Sequence, residues 1–135
     1  MRNGFGPQVL VRSEENDGRV GVVESTTQPG FGGPPLHHHP FDELFYVLEG
    51  ELTFQVDDEV FTRGAGEYVF APGGTLHTFA NRSDAPARYL LVITPGGFER
   101  YFARIAADNA GVDPPEWAQA RWPEVTRVGP PIGER

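Results

Sequence analysis

The chain has no cysteine and no lysine, and a single methionine among its 135 residues. Without cysteine there can be no disulfides, thiolate metal ligands or cysteine nucleophile. The absence fixes no redox compartment, because such a chain is at home in either setting. Without lysine, Schiff-base chemistry on a lysine amine is excluded, and all 11 basic residues are arginine. No apolar run is long enough to span a membrane, and the first seven residues lack the apolar centre of a signal peptide. A cytoplasmic location without membrane contact is therefore the expectation. Basic charge is also scarce: 19 acidic residues leave a net charge of −8. Phosphate contact needs a clustered basic face, so no nucleic-acid partner is expected.

Glycine (17) and proline (13) are plentiful and punctuate short apolar runs. That pattern predicts an all-β domain with many turns. Strands are expected at 8–12, 19–26, 44–48, 52–56, 60–62, 67–71, 76–80 and 88–94. Glu49-Gly50 reads as a tight hairpin turn between the third and fourth of these. Their close spacing argues for a sandwich or barrel over parallel βαβ units. After Pro95 the period changes: Phe98, Tyr101, Phe102, Ile105 and Ala106 fall at helical spacing, giving a helix over 98–108. Asp113-Pro114-Pro115-Glu116 reads as a capping box opening a second helix that carries Trp117 and ends before Pro123. The tail from Val125 is polar and expected to be loose. One domain over 1–135 follows, with a core at about 8–95, a helical extension at about 98–122 and a tail at 123–135.

Residues 36–50 (LHHHPFDELFYVLEG) hold the densest chemistry. Side chains on a strand alternate faces, so His37, His39 and Glu43 share a side if the segment stays extended, and His38 faces away. Two imidazoles and a carboxylate suit a borderline or hard divalent metal. Pro40 interrupts the run, so strict alternation across it is not guaranteed. A fourth histidine, His77, lies in a second ordered stretch.

These two stretches carry a resemblance. The chain resembles the cupin superfamily, whose first motif reads His-x-His, a short gap, Glu, then Gly; His37, His39, Glu43 and Gly50 fit it. Its opening glycine is out of place, with Phe31 at that position and Gly32 one later. The second motif is matched throughout by Gly66, Pro72, Gly74, His77 and Asn81. The resemblance covers roughly residues 20–95. It implies a double-stranded β-helix, the cupin jelly-roll barrel, followed here by one or two C-terminal helices. It also implies one divalent metal ion (iron, manganese, nickel, cobalt or zinc) held by His37, His39, Glu43 and His77, with His38 left out. Asn81 reads as a loop-fixing hydrogen bonder.

Three imidazoles and one carboxylate leave an octahedral shell open to water, substrate or dioxygen. Glu43 is therefore either a plain ligand or a carboxylate that doubles as general base. Parity makes Phe45, Val47 and Phe79 candidates for a substrate pocket, together with Tyr68 or Phe70, whichever faces inward. Gln55 joins them if the Leu52/Phe54/Val56 stripe packs outside the barrel. Phe98, Phe102 and Ile105 are assigned to packing of the helix on the barrel. The resemblance implies a dioxygenase acting on a phenolic or enolic small molecule. A redox-neutral cyclase, isomerase or lyase and a non-enzymatic binding cupin are the alternatives. With no room for a DNA-binding segment, a transcription-factor version is not expected. A homodimer is expected, with the first strand able to add to a partner's sheet.

Overall fold

Buried residues fall at every second position along the three longest strands of the computed structural model, which describes residues 6–132. Ten strands form: β1 (Gly6–Val11), β2 (Gly21–Thr27), β3 (Leu36–His38), β4 (Asp42–Glu49), β5 (Glu51–Val56), β6 (Glu59–Gly64), β7 (Tyr68–Ala71), β8 (His77–Ala80), β9 (Ala87–Thr94) and β10 (Thr126–Gly129). They pair antiparallel in two sheets of five, ordered β1-β2-β9-β4-β7 and β10-β3-β8-β5-β6. The sheets face each other across one core of Val23, Phe45, Val47, Leu52, Phe54, Val69, Tyr89, Leu91 and Ile93. This is the expected all-β jelly-roll barrel, with one α-helix, α1 (Glu99–Ala110). No helix among the described residues is long and apolar enough to cross a membrane.

Three expectations need correction. Glu49-Gly50 is not a hairpin: β4 pairs with β7 and β9, while β5 pairs with β6 and β8 in the other sheet. Gly50 is the corner where the chain changes sheets. It has φ of +74°, and an added Cβ would lie 2.5 Å from the Pro86 carbonyl oxygen. Only glycine meets both demands cheaply. The second helix is a single 3-10 turn, Glu116–Gln119, with no side-chain cap. Pro115 before it and Ala120 after it are both extended, which leaves too few residues to repay helix nucleation. The tail is not loose where it is described: Thr126–Gly129 is β10, hydrogen-bonded to the otherwise open edge of β3. Residues 133–135 of that tail lie outside the described residues. The first strand, β1, pairs within its own chain, against β2.

α1 sits over one end of the barrel and is pinned at its start by Glu99. The carboxylate is 1% exposed. It accepts the Ser13 amide at 2.8 Å, the Ser13 hydroxyl at 2.5 Å and the Gly97 amide at 2.6 Å. Burial pushes the carboxyl up, but those donors outweigh it and hold the pKa below the ordinary 4.5. A depressed carboxylate stabilises the fold above its unfolded pKa, and that contribution is lost as pH falls through the folded value. Glu99→Gln is therefore expected to cost about 2 kcal/mol at pH 7, the scale of hydrogen bonds to a charged group. In denaturant titrations the gap between wild type and variant should shrink once the pH drops below 4.5; a gap constant down to acid pH would count against the assignment.

Candidate metal centre and its cavity

The four candidate ligands arrive from four segments of the fold. β3 and β8 are neighbours in one sheet, and their register sets His37 directly opposite His77. Directly opposed residues project to the same face, here the barrel interior. Glu43 comes from β4 in the facing sheet, and His39 from the crossover between β3 and β4. Pro40 thus ends one sheet and leads into the other. Convergence comes from two sheets facing each other, not from one extended segment. His38 lies on the opposite side of β3, across from Thr126, outside this group.

Each ring is oriented by its own backbone. Nδ1–H of His37 donates to the Pro35 carbonyl at 2.7 Å, that of His39 to Phe41 at 3.0 Å, and that of His77 to Thr75 at 2.8 Å. The three Nε2 atoms are thereby turned inward. Those of His39 and His77 lie 2.9 and 2.8 Å from Glu43 Oε1. One ligand atom from each of the four residues falls within 4.8 Å of all the others. Backbone acceptors on the far nitrogen are the arrangement that fixes a metal-ligating histidine. The donor set and its orientation fit a divalent metal ion.

Burial and pairing split the titrations. Burial lowers the His37 pKa to about 4, so its imidazole is neutral at pH 7. Burial raises the Glu43 carboxyl, but hydrogen bonds from His39 and His77 outweigh this and bring it to about 2. Burial lowers the His77 pKa and its bond to Glu43 raises it; the bond wins, and the value rises above 6.5. Glu43 is anionic here, and its Oε1 is engaged by the His39 and His77 rings.

The loop that delivers His37 is clamped onto β8. The Asn81 amide donates to the Phe31 carbonyl, the Gly30 amide to the Asn81 carbonyl, and the Thr78 hydroxyl to the Pro34 carbonyl. Gly33 has φ of +84° and passes against the Phe79 carbonyl with no room for a Cβ. The Asn81 side chain bonds Thr27, Ala85 and Ser83, which holds the following loop.

A cavity of about 1100 Å³ opens from His37 and Glu43 to the end of the barrel beneath α1. Phe45 and Phe79 line it, as do Tyr89 and Leu91 of β9. The other pocket candidates lie elsewhere. Val47 is sealed in the core below. Tyr68 and Phe70 point outward, 62% and 50% exposed, because Val69 and Ala71 take the inward positions of β7. Gln55 faces away as well: Leu52 and Phe54 fill the interior, and the Gln55 amide donates to the Asp57 carbonyl. Conversely, Phe98, Tyr101, Phe102 and Ile105 line the cavity in addition to packing α1, and Trp122 joins them. Their helical spacing was visible; that the helix roofs a cavity was not. Phe98 also reaches the candidate metal centre through Phe41, whose ring stacks on His39 at 3.7 Å.

A family profile described as "Cupin domain" matches residues 23–93. The chain belongs to the cupin family. This cupin is 28% identical over 105 residues to "Quercetin 2,3-dioxygenase" of Bacillus subtilis (strain 168), covering 77% of the chain and 31% of that protein. It is 37% identical over 60 residues to "Tetracenomycin polyketide synthase protein TcmJ" of Streptomyces glaucescens, covering 44% of the chain and 40% of that protein. The chain thus spans well under half the length of these curated relatives. In fold it is similar to the polyketide cyclase RemF from Streptomyces resistomycificus, with a TM-score of 0.64 at 22% identity over 93% of this chain and 72% of that one.

If the four side chains act as one centre, His77→Ala should lower bound divalent metal at least tenfold, roughly the loss that even a supporting group can cause. His38→Ala should leave the metal content unchanged. Elemental analysis of both variants, prepared without a histidine tag, is the check.

Proposed function

We propose that this cupin is a metal-dependent dioxygenase acting on a phenolic or enolic small molecule. The observation that carries the proposal is an oriented three-histidine, one-carboxylate centre at the inner end of a cavity walled by aromatic side chains. The relative named as a quercetin dioxygenase supports the same reading. A divalent ion held by His37, His39, Glu43 and His77 would supply Lewis acidity and, if redox-active, electrons for dioxygen chemistry.

The chain's own residues do the rest. Phe45, Phe79, Tyr89 and Phe98 offer ring faces and edges that orient a flat substrate and exclude water from the reacting end. Glu43 is the proton acceptor: the substrate O–H bond breaks, the proton passes to the carboxylate, and the electron pair stays on the substrate oxygen. In this structure His39 and His77 hold Glu43 as a weak base. Proton transfer therefore requires those hydrogen bonds to be given up.

Protein reconstituted separately with iron, manganese, nickel, cobalt and zinc should consume dioxygen with a panel of phenols and diketones for at least one metal. No uptake with any of them would overturn the proposal. A redox-neutral cyclase or isomerase is the second reading, supported by the polyketide synthase relative; turnover with zinc in the absence of dioxygen would favour it. Glu43→Gln is expected to lower the rate by about 10²–10⁴ if the carboxylate is the base. Metal content should be measured beside the rate, since loss of both would make Glu43 a ligand alone.

The same reading includes a homodimer. Tyr46 and Tyr68 are paired across β4 and β7, with Leu44 and Phe70 beside them, on the outer face of the sheet. A second copy would cover this aromatic patch by presenting the same surface about a two-fold axis. Sedimentation should give twice the 14.9 kDa chain mass, and Phe70→Arg should return it to the monomer.

A further inference from the structure

The C-terminal strand adds a charge to the cavity. β10 runs antiparallel to β3 and sets Arg127 directly opposite His37. Opposed residues share a face, and His37 faces the interior, so Arg127 projects to the same side; both line the cavity. The neighbouring pair, Thr126 and His38, is the outward one. Val125, two residues before Arg127, packs on the core, which agrees with that parity.

The charged residues lining the cavity are Glu43, Glu124 and Arg127. Glu43 is already bonded to two imidazoles. Other arginines are similarly engaged: Arg88 with Glu24 and Glu49, Arg12 over Trp117, Arg104 over Trp122 and Arg63 over Phe61. Among the described residues no carboxylate lies within ion-pair distance of Arg127, Glu124 included. Among the described residues its guanidinium has no hydrogen-bond or ion-pair partner, and Arg127 is exposed at the cavity mouth. The rings of Phe31, Phe79, Tyr101 and Trp122 line the same cavity. A planar fork of N–H donors matches a carboxylate in bidentate fashion, which a point charge would not.

We infer that the substrate is an aromatic or enolic acid, its ring between the aromatic walls, its hydroxyl toward Glu43 and its carboxylate on Arg127. The inference rests on the small-molecule reading above and narrows its substrate class. It makes Arg127 a specificity-determining residue, reached only because the chain end folds back onto β3.

The test is binding to the full chain loaded with zinc, titrated with 1-hydroxy-2-naphthoate, its methyl ester and 1-naphthol. Heat and quenching of tryptophan fluorescence are the readouts, since Trp122 lies in the cavity wall. The acid should bind at least about tenfold tighter than the ester, the scale of one charge-assisted pair. Arg127→Gln should abolish that preference while leaving ester binding unchanged, which also shows that the variant is folded. Arg127→Lys should restore only part of it, and Glu124→Gln should strengthen binding of the acid. Equal binding of acid and ester by the wild type, or a preference that survives Arg127→Gln, would overturn the inference and leave the aromatic-substrate reading standing. If none of the three compounds binds, that reading fails and the inference with it.

Discussion

The Glu43 carboxylate is the point on which the two sheets depend. It is buried, anionic, and projects from β4 in one sheet toward His77 of the other, with His39 on the crossover between them. A buried carboxylate is tolerated only when paired, and removing its partners costs about 3–5 kcal/mol. Pairing across the sheets therefore constrains how they face each other at this end of the barrel. The imidazoles in turn are held by the carbonyls of Pro35, Phe41 and Thr75, each two residues away in the chain. Local backbone geometry orients the rings, and the tertiary fold brings them together.

The two ends of the barrel interior are used differently. One is closed by Val47, Leu52, Phe54 and Val69, packed as an ordinary core. The other is left open beside the histidines, with α1 and the C-terminal segment forming its outer wall. Glu99 matters to the site for this reason. By tying the start of α1 to Ser13 and Gly97, it fixes where Phe98 stands, and Phe98 packs on the Phe41 ring that stacks on His39. Aromatic contacts thus connect the roof of the cavity to the candidate metal centre.

Most strands were legible because apolar alternation and glycine-proline punctuation are local signals. Their partners were not. β4 and β5 are separated by Gly50 alone, yet they belong to different sheets. Hairpin and corner look alike in sequence, because both need a residue that tolerates positive φ. The expected capping box failed for a related reason: Asp113 and Glu116 have the right spacing, but too few helical residues follow. β10 had no strand signal of its own; it is a strand because the edge of β3 offers it a ladder. Tyr68 and Phe70 were a coin-toss of parity that only burial of Val69 and Ala71 resolves.

By itself the sequence determined the residue types at the centre. Alternation put His37 and Glu43 on one side and His38 on the other if the segment stays extended, and the resemblance to cupins implied that His77 joins them. Alternation and motif spacing are local patterns, and local patterns can be read along the chain. Only the tertiary structure decided that the candidate ligands come from two facing sheets and that Phe98 and Trp122 are walls of a cavity. It alone set Arg127 opposite His37 at the cavity mouth. Those facts rest on pairings between segments far apart in the chain, and no local pattern encodes which distant edge or face a segment will meet.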